Sequence, residues 1–188
     1  QEFGISSRDY MIPDCFGFPI NLPSVMSHCG LIGFSTQKLS WGSAVGIPFD
    51  LGVWNGPDGE GVIAALNAMS YNHRMIPPLH KDKKRIASLY RMGEKTGLWK
   101  SFLYYGVGDI GGAPTRGSIR RALQSIAHAA DIDPDLKIKQ GAANDFFKQI
   151  TEEERSKLST LSTYTGDLLL VNHSAGSLTS ATIMKRWN

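Results

Sequence analysis

The sequence predicts an α/β fold built mostly on parallel strands, and three observations predict it. An apolar run at 10–13, a short helical segment at 22–29 and a second apolar run at 31–37 follow one another as strand, helix and strand. Parallel neighbours need such a crossover. Leu168-Leu169-Leu170-Val171 is continuously apolar, the pattern of a strand buried on both faces. Amphipathic helical segments lie between these runs, at 77–97 and 115–130. The chain's 188 residues suffice for one domain or a large part of one.

The first strand reads as ending at an acid. Pro13 biases Ile12 toward an extended backbone, Asp14 follows, and Gly17 and Pro19 turn the chain. A carboxylate at a strand's carboxyl end, beside Phe16 and Phe18, stands where α/β folds keep their chemistry. A turn cap is the other reading of Asp14. Asn21 is expected to cap the helix, with Pro23 in its first turn and Gly30 closing it. His28 within it is either structural or a ligand. The second strand ends at Gln37, Lys38 and Trp41, where a lysine meets an anion or a sugar hydroxyl, or simply solvent. Runs at 47–54 and 61–66 flank Pro57-Asp58-Gly59, which predicts a hairpin or tight strand connection. Trp41 and Trp54 are each a sugar platform or a core residue. Asn67 to Asn72 turns polar after the second run, so it reads as a loop carrying Tyr71.

Residues 77–97 read as a basic surface helix with Ile86, Leu89, Tyr90 and Met92 on its apolar face. A strand at 102–105 is then expected before Gly106, Gly108 and Gly111, which spell G-x-G-x-x-G. In a dinucleotide site the helix begins inside the glycine run, whereas Pro114 starts this helix after it, and Asp109 would face the phosphates. The competing reading has the glycines clear space so that Asp109 reaches a substrate. The helix at 115–130 sets Ile119, Ala122, Leu123, Ile126 and Ala127 on one face. A strand at 136–139 and a helix at 144–150 follow. Thr151 and Glu154 match a capping box, with Glu152, Glu153 and Glu154 as first-turn acids of a further helix. His173, beyond the last strand, is the best-placed histidine.

Composition excludes several classes. A net charge of +3 is too small to argue for nucleic acid, and the run His80-Lys81-Asp82-Lys83-Lys84-Arg85 carries its own acid without aromatic interleaving. No apolar segment has the length of a membrane span, and no stretch of the given sequence reads as a signal peptide. Cys15 and Cys29 cannot make a zinc ribbon, and Cys29, in a predicted helix, is expected to be buried. The chain opens at Gln1 without Met and closes in a predicted helix, which reads as a piece of a longer polypeptide.

Five ordered blocks resemble glycoside hydrolase family 38, the class II α-mannosidases. They are Pro13-Asp14-Cys15-Phe16-Gly17, residues 33–41, Trp54-Asn55-Gly56-Pro57-Asp58-Gly59, residues 105–115, and Asn172 to Ser180 with Lys185-Arg186. The resemblance implies that 1–188 is part of a β/α-barrel catalytic domain lacking its start and end. It also implies zinc-dependent, retaining hydrolysis of terminal α-linked mannose from glycans. Asp14 is then nucleophile and metal ligand, Asp109 the acid/base, and Phe16, Lys38 and Tyr71 substrate contacts. Lys38 stands where some relatives carry arginine. The family's upstream His-x-Asp pair and downstream metal histidine are not in the sequence, and His173 is not that ligand. This piece alone is therefore expected to bind zinc weakly and to turn nothing over, and to depend on the remainder of the parent polypeptide. A carbohydrate-binding piece without catalysis and a dinucleotide-binding enzyme are the alternatives. Compartment stays undecided, the resemblance being compatible with a periplasmic or extracellular glycan degrader.

Overall fold

A computed structural model describes Gly4, residues 6–172 and Arg186. His173 and most of the Asn172–Ser180 block lie outside the described residues. A five-stranded sheet runs in the order β1 (Asp9–Met11), β3 (Gly33–Ser35), β5 (Gly61–Ala65), β4 (Leu51–Asn55), β6 (Thr163–Thr165). β1, β3 and β5 are parallel neighbours, β4 is antiparallel to β5, and β6 is parallel to β4. Among the described residues β1 and β6 are its edges. A second, two-stranded antiparallel pair joins β2 (Gly17–Phe18) to β7 (Leu168–Leu169).

The crossover between β1 and β3 carries α1 (Leu22–His28), as the strand–helix–strand succession predicts. Asn21 precedes it without a side-chain capping bond, because its backbone is already helical. Gly30 closes it at φ 78°. The Pro57-Asp58-Gly59 turn makes β4 and β5 a hairpin, with Gly56 N–H donating to Glu60 O at 2.7 Å. His28 is spent on that turn, its Nε2 2.9 Å from Asp58 Oδ2.

Both faces of the sheet's centre, at β3, β4 and β5, are buried. Side chains alternate along a strand, so Val62 and Ala64 of β5 join one cluster, with Phe18, Phe34 and Trp54, while Ile63 and Ala65 join the other, with Leu51, Phe147 and Ile150. Phe18, Phe34 and Trp54 meet edge-on or tilted, Phe34 lying 5.2 Å from each of the other two. Trp54 is thus core, its indole N–H donating to Gly166 O at 3.0 Å. The second cluster is roofed by α4 (Ala143–Glu153), whose Phe147 lies against Gly33 so closely that a Cβ there would come within 2.2 Å of its ring.

Several expected elements differ. Residues 102–105 and 136–139 form no strand; the first segment makes a backbone bond from Tyr104 N–H to Ala68 O (2.6 Å). The helix at 144–150 runs on through Thr151 as α4, and the further helical turn comes later than predicted, as a 3₁₀ helix at Arg155–Thr160. Thr151 Oγ1 donates back to Phe147 O at 2.9 Å, continuing the helix instead of capping a new one. Glu152 and Glu153 therefore end a helix, and Glu154 is held below its usual range by Lys157, against some burial, with Lys100 adding a smaller effect. The apolar run at 168–171 alternates: Leu168 and Leu170 are buried, Leu169 and Val171 exposed, as befits a pair with one face on the core. Cys29 is exposed at the end of α1.

The basic segment becomes α2 (Lys83–Thr96), capped by Asp82 and ended by Gly97 at φ 71°. α3 (Arg116–Ala127) starts where Thr115 accepts from Ser118 N–H. It buries Ser118, Ala122 and Ser125, whereas Ile119, Leu123 and Ile126 of the predicted face remain exposed. No helix among the described residues is long and apolar enough to cross a membrane.

Candidate active site

The parallel strands β1, β3 and β5 are in register, Met11 beside Ser35 beside Ala65, so the chain leaves all three at one edge of the sheet. The ladder runs a little further, with Ile12 N–H donating to Ser35 O (3.0 Å) and Thr36 N–H to Ala65 O (3.1 Å). Asp14 follows β1, Lys38 follows β3 and Tyr71 follows β5. The three residues belong to one site because three parallel strands end together, the place where open α/β sheets bind ligands.

Lys38 and Asp14 form an ion pair, Nζ donating to Oδ1. Its geometry is lopsided. The Lys38 side chain is 3% exposed and that of Asp14 40%. The buried ammonium is further held by ring faces, 4.7 Å from the centroid of Phe16 and 3.9 Å from that of Trp41. Aromatic faces carry negative charge density, so they partly replace lost hydration. The 3₁₀ turn Lys38–Trp41 makes this local, since positions i and i+3 eclipse there. The alternative of a solvent-exposed Lys38 is overturned.

Tyr71 joins the acids. Its Oη lies 3.3 Å from Asp14 Oδ2 and 2.5 Å from Asp109 Oδ1. The hydrogen bond to Asp109, then burial and the charges of both carboxylates, push the phenol well above the usual tyrosine range, so it stays a donor. The loop that carries it is tied on several sides. Asn67 O accepts from Arg85 Nη1 (3.1 Å), Asn67 Nδ2 donates to Asp50 Oδ1 (2.8 Å), and His73 N–H donates to Ser70 O (2.9 Å). His73 Nδ1 accepts from Met75 N–H at 3.0 Å, and burial lowers its pKa, so this imidazole is a neutral brace.

The glycine run serves Tyr71. A Cβ on Gly108 would lie 2.1 Å from the Tyr71 ring, and one on Gly106 2.7 Å from Tyr71 O. The glycines clear space, as one reading expects, but for the tyrosine that meets Asp109. Asp109 is exposed in a loop at φ 59°, a left-handed conformation that aspartate tolerates better than most residues. It is not a strand-end carboxylate, since 102–105 is not a strand. The nucleotide reading fails on the same facts, because α3 begins after Thr115 and Tyr71 fills the space above the run.

Sequence reasoning named Asp14, Phe16, Lys38, Tyr71 and Asp109, and the structure brings all five together. It did not connect Tyr71 with Asp109, since no short-range pattern relates positions 71 and 109. Cys15, beside Asp14, reaches solvent, and partial burial with the neighbouring charge raises its thiol pKa. A metal site is not formed by the described residues themselves. No group of three or more His, Cys, Asp or Glu side chains among them stands together, and a zinc site needs three or four protein ligands. Asp14 offers one.

The site thus holds an acid pair bridged by one tyrosine, Asp14 after a parallel strand and Asp109 from a loop. The description "Glycosyl hydrolases family 38 N-terminal domain" matches residues 1–167, and the chain belongs to this family. Alpha-mannosidase G of Dictyostelium discoideum is 34% identical over 100% of the chain, which covers 16% of that protein. Human Alpha-mannosidase 2C1 is 28% identical over 98% of the chain, covering 17% of that protein. The chain thus spans 16–17% of the length of these curated relatives. The crystal structure of an alpha-mannosidase from Enterococcus faecalis V583 shares the fold, with a TM-score of 0.55 at 21% identity, over 89% of this chain and 18% of that one.

Proposed function

We propose that this chain carries the carboxylate pair of a retaining α-mannosidase and that its sheet belongs to a β/α barrel in the parent protein. The observation that carries the reading is the shared contact of Asp14 and Asp109 with Tyr71 Oη. The two carboxylate oxygens are no farther apart than those two bonds laid end to end. That favours the roughly 5–5.5 Å spacing of retaining glycosidases over the roughly 6.5–9.5 Å of inverting ones.

In this mechanism an Asp14 oxygen attacks C1 of a terminal mannose as Asp109 gives its proton to the departing glycosidic oxygen. An ester between Asp14 and the sugar results. Asp109 then takes a proton from water, whose oxygen attacks C1 and releases Asp14 as carboxylate. Lys38 balances the charge that returns to Asp14 in this second step. Tyr71 orients both acids, and Phe16 walls the site beside Lys38. Zinc, held by Asp14 together with ligands from elsewhere in the parent, would bind sugar hydroxyls and fix the ring over the carboxylate.

The test uses the parent protein on an α-mannoside, with and without chelator, beside Asp14→Asn. Activity lost in the variant and on chelation supports the reading, and NMR of the first-formed mannose anomer reports retention. Full activity in Asp14→Asn removes Asp14 from its role. Mannoside binding without turnover by the parent favours a non-catalytic carbohydrate-binding protein.

A further inference from the structure

We propose that Trp41 is a stacking platform for a second sugar, on the leaving-group side of the bond cleaved at Asp14 and Asp109. The inference rests on the mannosidase reading above. The turn Lys38–Trp41 sends its first residue inward, 3% exposed, and leaves its last, the indole, 47% exposed. The two touch: Lys38 Nζ is 3.9 Å from the Trp41 ring centroid while donating to Asp14. One ammonium therefore separates an exposed indole from the candidate nucleophile. The mannose attacked at C1 sits over Asp14, and a terminal mannose has one glycosidic neighbour, so a second ring that reaches the indole belongs to the leaving group.

The turn that carries the indole is also held before any ligand arrives. Gly42 ends the turn at φ 118°, and a Cβ there would lie 2.6 Å from the Asn172 side chain. Val171 N–H donates to Gly42 O (2.9 Å) and Ala44 N–H to Leu169 O (2.8 Å), tying the turn to β7 and the residues after it. A surface fixed in advance loses little entropy on binding. A pyranose offers an apolar, slightly positive C–H face that suits the negative face of an aromatic ring. Trp54 cannot serve, being fully buried.

The test compares kcat/KM of the parent protein, Trp41→Ala and Trp41→Phe on methyl α-mannoside and on an α-linked mannobiose. Trp41→Ala is expected to lose at least about ten-fold more on mannobiose than on the methyl glycoside, mainly in KM. Trp41→Phe, which keeps a ring for both Lys38 and the sugar, should recover most of that difference. Equal losses on the two substrates would overturn the proposal, because they would mean that the indole only seats Lys38. No loss on either would overturn it too. A parent that cleaves neither glycoside defeats the mannosidase reading instead. Calorimetric titration with mannobiose then decides the platform, weaker binding to Trp41→Ala supporting it and unchanged binding overturning it.

Discussion

Tyr71 sets a single phenol oxygen between two carboxylates, 3.3 Å from Asp14 and 2.5 Å from Asp109. One hydroxyl carries one proton, so it commits to Asp109 when Asp14 is engaged with the sugar. Tyr71→Phe in the parent should lower kcat about ten- to hundred-fold, the range for a hydrogen bond to a charged group, with a smaller change in KM. The pH dependence has a definite sign. The folded phenol titrates above its unfolded value near roughly 10, so the stability it contributes is complete below that value and is lost as pH rises through the folded one. The melting-temperature gap between wild type and Tyr71→Phe should hold from neutral pH to about 10 and narrow above it. A gap that already narrows between neutral pH and about 9 would contradict this.

Gly108 and Gly111 separate two effects of the same substitution. Both have positive φ, 53° and 62°, but a Cβ on Gly108 meets the Tyr71 ring while one on Gly111 meets nothing within 4 Å. Gly111→Ala should cost about 1 kcal/mol through backbone strain alone. Gly108→Ala should cost more, about 2–3 kcal/mol, and also reduce activity as Tyr71→Phe does, because the ring must move. Denaturant unfolding with parallel kinetics reads both. Equal behaviour of the two variants would show that the Tyr71 contact has no consequence.

The pair Lys38–Asp14 should respond unequally to loss of either member. Asp14→Ala strands an ammonium that is 3% exposed, whereas Lys38→Met leaves a carboxylate that is 40% exposed and can hydrate. Thermal melts should show Asp14→Ala destabilised by about 2 kcal/mol, below the full cost of breaking a buried pair because two rings still face the charge. Lys38→Met should cost about 1 kcal/mol or less. In the parent it should nonetheless reduce kcat, with Lys38→Arg recovering part of the loss.

The site was more legible in the sequence than the elements that carry it. Asp14 and Lys38 follow two short strands whose apolar runs and turn residues are local signals, whereas Tyr71 stands out only through the family resemblance. The bridging of Asp14 to Asp109 was not legible, because it depends on a packing fit between Gly108 and a ring 37 positions earlier, without any periodic trace. Apolar pattern failed where small polar residues make the contact. Phe102–Tyr105 and 136–139 read as strands from composition yet have no ladder partner among the described residues. At α3 periodicity named Ile119, Ala122, Leu123, Ile126 and Ala127 as one apolar face; of these Ala122 is buried, and it packs together with Ser118 and Ser125.

That reversal at α3 yields the last prediction. Ser125 Oγ accepts from Leu79 N–H at 2.8 Å, donates to Arg121 O at 2.8 Å and lies 3.4 Å from His80 Nδ1, all in a fully buried position. Ser125→Ala strands the Leu79 N–H and should cost about 1–2 kcal/mol. Ser125→Leu adds volume where none is free and should cost about 2–3 kcal/mol. Leu123 is 57% exposed, so Leu123→Gln should change stability by less than about 0.5 kcal/mol. The ordering is the reverse of what hydrophobic periodicity assigns, since that would make Leu123 the anchor. Unfolding of the three variants decides it: a costly Leu123→Gln with a neutral Ser125→Ala would mean that α3 packs through the other face.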